Sequence, residues 1–197
     1  NYLKGLTFLS DNRIILSGAS NSSDTIDKTE PSYGEFDYWH IKSDTNGIVI
    51  KDKTIGGSKM DGVTGHVINN ENNIIIFGIS ESPVSGNKTA PKIGGQDIWL
   101  VKLDTNLNII WDKTFGGILD EEMFLGKAFY SDFHNMSIIA GSSESPKLLD
   151  KTTENFGGFD YWIVGVDNQG NKVMEISIGG TEDDFAREVI ETTNHQL

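Results

Sequence analysis

The chain has 197 residues and sets 16 Lys and Arg against 29 Asp and Glu, a formal charge of −13 at pH 7. A surface of that sign repels phosphate backbones and anionic lipid, which argues against a nucleic-acid partner and a membrane surface. No apolar run approaches the ~20 residues that span a bilayer, so no membrane insertion is expected.

There is no cysteine. Disulfides, thiolate zinc sites, iron–sulfur clusters and thiol nucleophiles are therefore excluded. Glycine numbers 22 and proline 4. That imbalance points to many tight turns between strands rather than to a linker.

In chain order, residues 3–9 read as a strand, and Ser10-Asp11-Asn12-Arg13 as a turn. The apolar run 14–16 follows and ends in Gly18-Ala19-Ser20. A long polar loop with Asp27-Lys28-Thr29 leads to Gly34-Glu35-Phe36-Asp37-Tyr38-Trp39, which opens an alternating strand. Asp44-Thr45-Asn46-Gly47 is a hairpin turn, because Asn and Gly accept positive φ. The next strand ends at Thr54-Ile55-Gly56-Gly57, the acidic residue Asp61 follows, and residues 63–69 form another strand.

The whole series then recurs. Gly94-Gly95-Gln96-Asp97-Ile98-Trp99 and Gly157-Gly158-Phe159-Asp160-Tyr161-Trp162 repeat the strand opening, so the tryptophans fall 60 and 63 residues apart. Asp104-Thr105-Asn106-Leu107 and Asp167-Asn168-Gln169-Gly170 repeat the turn. Thr114-Phe115-Gly116-Gly117 and Ser177-Ile178-Gly179-Gly180 repeat the glycine pair. Acidic stretches follow each pair, at Asp120-Glu121-Glu122 and Glu182-Asp183-Asp184. Gly78-Ile79-Ser80 and Gly141-Ser142-Ser143 close the unit, and Asn87-Lys88-Thr89 and Asp150-Lys151-Thr152 repeat the loop.

Each unit reads as four strands: a from the tryptophan, b after the turn (108–115), c after the acidic stretch (63–69, 123–130) and d (74–77, 138–140). Strand d is continuously apolar, as a strand covered on both faces should be. Four antiparallel strands repeated radially define a β-propeller blade, here of about 60 residues. The expected fold is all-β: a partial array of about three and a half blades. Residues 1–20 would supply the last two strands of one blade, 34–83 and 94–146 two whole blades, and 157–197 the first three strands of a fourth. Residues 185–192 would be its strand c. Strand a would line the axis with d outside. The long d–a loops and the acidic b–c stretches would then crowd one face, the natural place for binding. An unpaired last strand implies an array that continues in further repeats of the parent chain.

Gly94 to Gly117 resembles the β-propeller repeats of large secreted bacterial proteins, abundant in Bacteroidetes and commonly exported by type IX secretion. The resemblance covers essentially the whole chain. Trp111 of strand b is replaced in the other copies by Lys51 and Met174. The resemblance implies secretion or cell-surface display as an adhesion or binding module, with glycan or protein as partner, beside other domains of the parent.

Asp37, Asp97 and Asp160 open the innermost strands, where a ring of carboxylates would suit Ca²⁺, a cation that takes hard oxygen ligands. The plainer alternative is that each accepts N–H bonds from its glycine turn, a structural role that every copy repeats. Otherwise no cofactor is expected. Asp61, Asp120, Glu121, Glu122, Asp183 and Asp184 are either solvated turn residues or the paired carboxylates of a glycoside hydrolase. The three matched tryptophans read as core between blades rather than as sugar platforms. His40, His66, His134 and His195 occupy unmatched positions and show neither metal-ligand nor triad spacing. Asp24-Thr25-Ile26 fits the short O-glycosylation pattern reported for Bacteroidetes. The expected function is non-enzymatic binding; the alternatives are a polysaccharide-active propeller enzyme and a spacer in a surface filament.

Overall fold

The structure is a computed structural model, and it describes residues 2–23 and 26–196, apart from the side chains of Phe124 and Leu125. Twelve strands, and no helix, occur among the described residues. They form three four-stranded antiparallel sheets, each a meander of consecutive strands. The first holds β1 (Tyr2–Phe8), β2 (Ile14–Ser20), β3 (Asp37–Ser43) and β4 (Val49–Ile55). The second holds β5 (Asp61–Ile68), β6 (Ile74–Ser80), β7 (Asp97–Leu103) and β8 (Ile109–Phe115). The third holds β9 (Glu121–Ser131), β10 (Met136–Ser143), β11 (Asp160–Asp167) and β12 (Lys172–Ile178).

Apart from residues 185–192, the strands expected from the repeat are present, but their grouping into sheets is shifted by half a unit. The long loop does not join one sheet to the next. It lies within each sheet, because β2 pairs with β3 from Ile14↔Ser43 to Ser20↔Asp37. The Gly-Gly and acidic stretch makes the crossing instead. The boundaries 34–83 and 94–146 are corrected accordingly to sheets spanning 2–55, 61–115 and 121–178. The glycine connection carries the chain into the next sheet, with Gly56 against Asp37 and Gly116 against Asp97 and Glu121, while the long loop closes a wide hairpin within the sheet.

The place of the tryptophans changes with this. They stand on the third strand of each sheet, opposite Gly18, Gly78 and Gly141. The first strands, not the tryptophan strands, lie side by side: Nε2 of His66 on β5 bonds Thr7 Oγ1 of β1 at 2.9 Å, and Thr64 Oγ1 of β5 donates to the Met123 carbonyl of β9 at 2.9 Å. Residues 185–192, expected as a strand, form none. A strand needs a partner ladder, and no described strand pairs with them.

The core follows from the period of two along a strand. On the middle sheet Ile74, Ile76, Trp99 and Val101 face the first sheet, where they meet Ile15, Tyr38 and Ile55. The intervening Ile75, Phe77, Ile98 and Leu100 face the third sheet and meet Ile139, Trp162 and Val164. Tyr38 packs on Trp99 with ring centroids 4.9 Å apart and donates its hydroxyl to the Trp99 carbonyl at 3.3 Å. Each fully buried side chain of this size contributes about 1.5–3 kcal/mol. The reading of strand d as covered on both faces holds for β10, buried throughout, and nearly for β6, but not for β2, where Ile14 and Leu16 are half-buried. Gly78 is required where it stands, since a side chain there would strike the Gly62 carbonyl that the bulge between Val63 and Gly65 brings over it.

Candidate functional site

The chain runs in opposite directions along successive strands, so the long loops and the glycine connections share one end of the sheets. Their contacts show it: Asn87 N–H donates to the Gly56 carbonyl at 3.1 Å, and Ser58 N–H to Ser85 Oγ at 2.9 Å. The short turns share the other end, where Lys42 and Lys51 reach the carbonyls of Thr105 and Asn106.

Three matched polar clusters hold the loop-bearing end. In each, the indole N–H donates to a carboxylate on the fourth strand: Trp39 to Asp52 at 2.9 Å, Trp99 to Asp112 at 3.1 Å and Trp162 to Glu175 at 2.8 Å. The same carboxylates accept the loop threonines Thr29, Thr89 and Thr152 through backbone N–H and hydroxyl. Burial works against the Glu175 anion, but bonds from Thr152, Lys172 and Trp162 overcome it and hold the group at about 2. Lys28, Lys88 and Lys151 are buried. Lys88 donates to Thr114 Oγ1 and lies 5.2 Å from the Trp99 ring centre. Trp99 and Trp162 are thus core and frame, as the repeat implies, while Trp39 makes the same hydrogen bond but is half-buried.

Asp37, Asp97 and Asp160 are fully buried at the start of the third strands. Their carboxylates accept N–H from Tyr33, from Ile93 and Gly94, and from Phe156. Oδ1 of Asp37 and of Asp160 finds no hydrogen-bond partner and rests against the α-carbons of Gly56 and Gly179. Donor N–H groups suit an anionic acceptor and are not cation ligands, so these residues fit the structural role better than a calcium ring. Among the described residues, no group of three or more His, Asp or Glu is arranged to hold a metal ion.

The acidic stretch divides. Asp120 and Asp183 are exposed and accept the N–H of Gln96 and Phe159. Asp61 and Glu121 are buried, contrary to a solvated turn. Asp61 accepts Ser80 and Ser82 hydroxyls and the Gly57 N–H; Glu121 accepts the Ser143 hydroxyl and the Gly117 N–H. Burial nevertheless pushes Asp61 up to about 6 and Glu121 to about 7, helped by the nearby charges of Asp37 and Asp97.

A second polar cluster joins the first two sheets. Ser17 Oγ lies 2.8 Å from His40 Nδ1 and 2.6 Å from His66 Nδ1. One hydroxyl donates a single proton, so it gives to one ring and accepts from the other. Burial keeps both rings neutral, lowering His40 to about 3 with His66 assisting and His66 to about 4. A cleft of about 210 Å³ between the first strands is lined by Thr7, His66 and Lys127. The clue in the sequence was departure from the repeat: His40 stands where the other copies have Leu100 and Ile163, and Ser17 where they have Phe77 and Ala140.

The loop tips are the least matched part of the frame. The residue two before the buried lysine is Ile26, Gly86 or Leu149, and all three have positive φ, at 53°, 58° and 60°. Ile26 is 97% exposed and Leu149 61%. Glycine adopts this conformation freely, while a β-branched residue there is strained. Asp24 and Thr25, with the O-glycosylation pattern, lie outside the described residues. No family model matches the chain, and no curated protein sequence matches it.

Proposed function

We propose that the three sheets are blades of a β-propeller in a secreted or cell-surface protein, and that the chain is a non-enzymatic module binding glycan or protein through its loop-bearing face. Equivalent meanders with adjoining first strands support the propeller arrangement. Further sheets of the same repeat would complete the circumference. Ile26 and Leu149 carry the binding reading: exposed apolar side chains held at left-handed φ on an otherwise matched frame. Strain of this kind concentrates where a surface contact is made. Val84, Leu148 and Phe156 extend the exposed apolar character over the same face.

The Ser17–His40–His66 cluster is the observation that favours an enzyme instead. Ser17 and His40 are fully buried, so a substrate in the cleft meets Thr7 and His66 rather than the serine.

The test is to pass an array of bacterial and host glycans, and a panel of cell-surface proteins, over the immobilised chain. Replacing Leu148, Leu149 and Phe156 together by Ser should weaken a bound ligand at least tenfold, while Ile48→Ser on the opposite end should not. Equal loss in both variants would end the loop-face reading. Release of reducing sugar from a bound polysaccharide would replace it with the enzyme.

A further inference from the structure

We infer that a cleft on the flank of the molecule, between the first two sheets, is a binding site for a carboxylate-bearing sugar of the hexuronate class. It has a volume of about 300 Å³ and runs along β4, the last strand of the first sheet. Glu30 and Tyr33 of the first long loop, with Lys51 and Lys53 of β4, form one wall. Asn87 of the second long loop and Asn108, at the turn before β8, form the other. Ligand pockets start at roughly 300 Å³, so the cleft suits a single sugar ring. Both walls come from residues 30–109, inside the first two sheets.

Three departures from the repeat meet there. Lys51 pairs with Lys42 as Trp111 pairs with Lys102, so the two positions are equivalent. Trp111 lies over Gly170 and donates its indole N–H to the Asn168 carbonyl at 3.2 Å. At the second junction a ring thus takes the ground that Lys51 leaves open at the first. Tyr33 replaces Ile93; each gives its backbone N–H to the aspartate that opens the third strand. Asn87 replaces Asp150, whose carboxylate pairs with Lys172 at 3.3 Å. A frame that changes at one junction, with an aromatic, a cation and an amide lining one space, is a site set into a scaffold.

The lining is held in place and keeps unused bonding capacity. The Tyr33 ring is backed by Gly86, where a Cβ would come within 2.8 Å of it, and it is 42% exposed. Such a ring offers a sugar a broad, rigid apolar face. Its hydroxyl accepts from the Asn87 amide at 3.4 Å and donates to no described group. Lys53 is neutralised by Glu30 at 2.9 Å. Lys51 is not: its ammonium bonds the Asn106 carbonyl at 2.6 Å and the Asn108 side chain at 3.5 Å, with no described carboxylate within 4 Å. Asp104 lies further off, its oxygens taken up by Asn106 and Asn108. The third ammonium proton and the phenol O–H are donors for a carboxylate. The half-buried Glu30 carboxylate remains an acceptor for sugar hydroxyls. Ring, donors and acceptor together match a hexuronate better than a neutral sugar or a bare carboxylate.

This inference rests on the reading of the chain as a binding module, but not on its loop face, and the test separates the two. The whole chain is titrated with methyl glucuronide, methyl glucoside and acetate, followed by backbone amide NMR. The glucuronide should bind at least tenfold more tightly than either of the others and shift the amides around Tyr33 and Lys51. Lys51→Glu, at an exposed position, should weaken it at least tenfold without changing the melting temperature. Lys51→Gln should abolish the preference over the glucoside, and Tyr33→Phe should cost a few-fold. The Leu148, Leu149 and Phe156 to Ser variant should bind the glucuronide as the parent does. No binding of the glucuronide at tens of millimolar overturns the inference. So does equal binding of acetate, which marks an ordinary counter-ion contact, or of the glucoside. Binding lost in the triple variant and kept in Lys51→Glu overturns the flank site and leaves the loop-face reading standing.

Discussion

Trp39 and Trp99 stand at the same register, each opposite a glycine on the second strand and each giving its indole N–H to an aspartate on the fourth. Their surroundings differ in one respect. Trp99 is closed over by Tyr38 of the preceding sheet and is fully buried, while among the described residues no sheet covers Trp39 and it is half-buried. The local sequence makes the tryptophan and its hydrogen bond. The neighbouring sheet supplies the burial. Stability in this molecule therefore resides largely at the junctions between sheets, as in other stacked repeats.

The sharpest way to break the comparison is to truncate both rings. Trp99→Ala should cost about 3–5 kcal/mol as a large-to-small core change. Trp39→Ala, measured by urea unfolding at dilute, monomeric concentration, should cost less than about half of that. Equal losses would show that burial by the adjacent sheet does not matter. Next in size is Asp112→Ala. It strands the Trp99 N–H and two loop N–H groups, from Thr89 and Ala90, and should cost about 2–3 kcal/mol.

A smaller effect separates the buried carboxylates from the buried histidines by pH. Asp61, at about 6, and Glu121, at about 7, keep protons that the unfolded chain releases near pH 4. Their contribution is complete below about pH 4 and is lost as pH rises through 6 to 7. His40 and His66, held to about 3 and 4, act the other way: the unfolded rings take up protons near 6.5, so stability falls as pH drops from there toward 4. Glu121→Gln should remove Glu121's share of the first trend, leaving that of Asp61, and should not touch the second. Between pH 5 and 8 the melting temperature of the variant should fall by about 3–5 °C less than that of the parent; parallel curves would refute the assignment. The smallest effect is at the loop tip. Ile26→Gly should stabilise by about 1 kcal/mol by relieving left-handed strain, and should weaken ligand binding at that face.

The strands and their order were legible because turn residues recur at fixed offsets and because β6 and β10 are apolar runs between them. The grouping into sheets was not. Asp37, at the end of the long loop, gives no local hint that its strand returns to pair with Ile14–Ser20; that is a long-range ladder. The matched carboxylates were visible as a repeat, but the burial of Asp61 and Glu121 was not, because it depends on serines about twenty residues downstream. Ser17 and His66 come together from different sheets, and only their failure to match Phe77 and Ala128 marked them.

The meander has a consequence for how the chain reaches this state. Every strand bonds only to strands adjacent in the sequence. A sheet can thus complete itself as soon as its last strand emerges from a ribosome or a narrow pore, without waiting for later residues. Each finished sheet then offers its Tyr38-type face as a template for the next, so assembly runs from the first sheet to the third, one junction at a time.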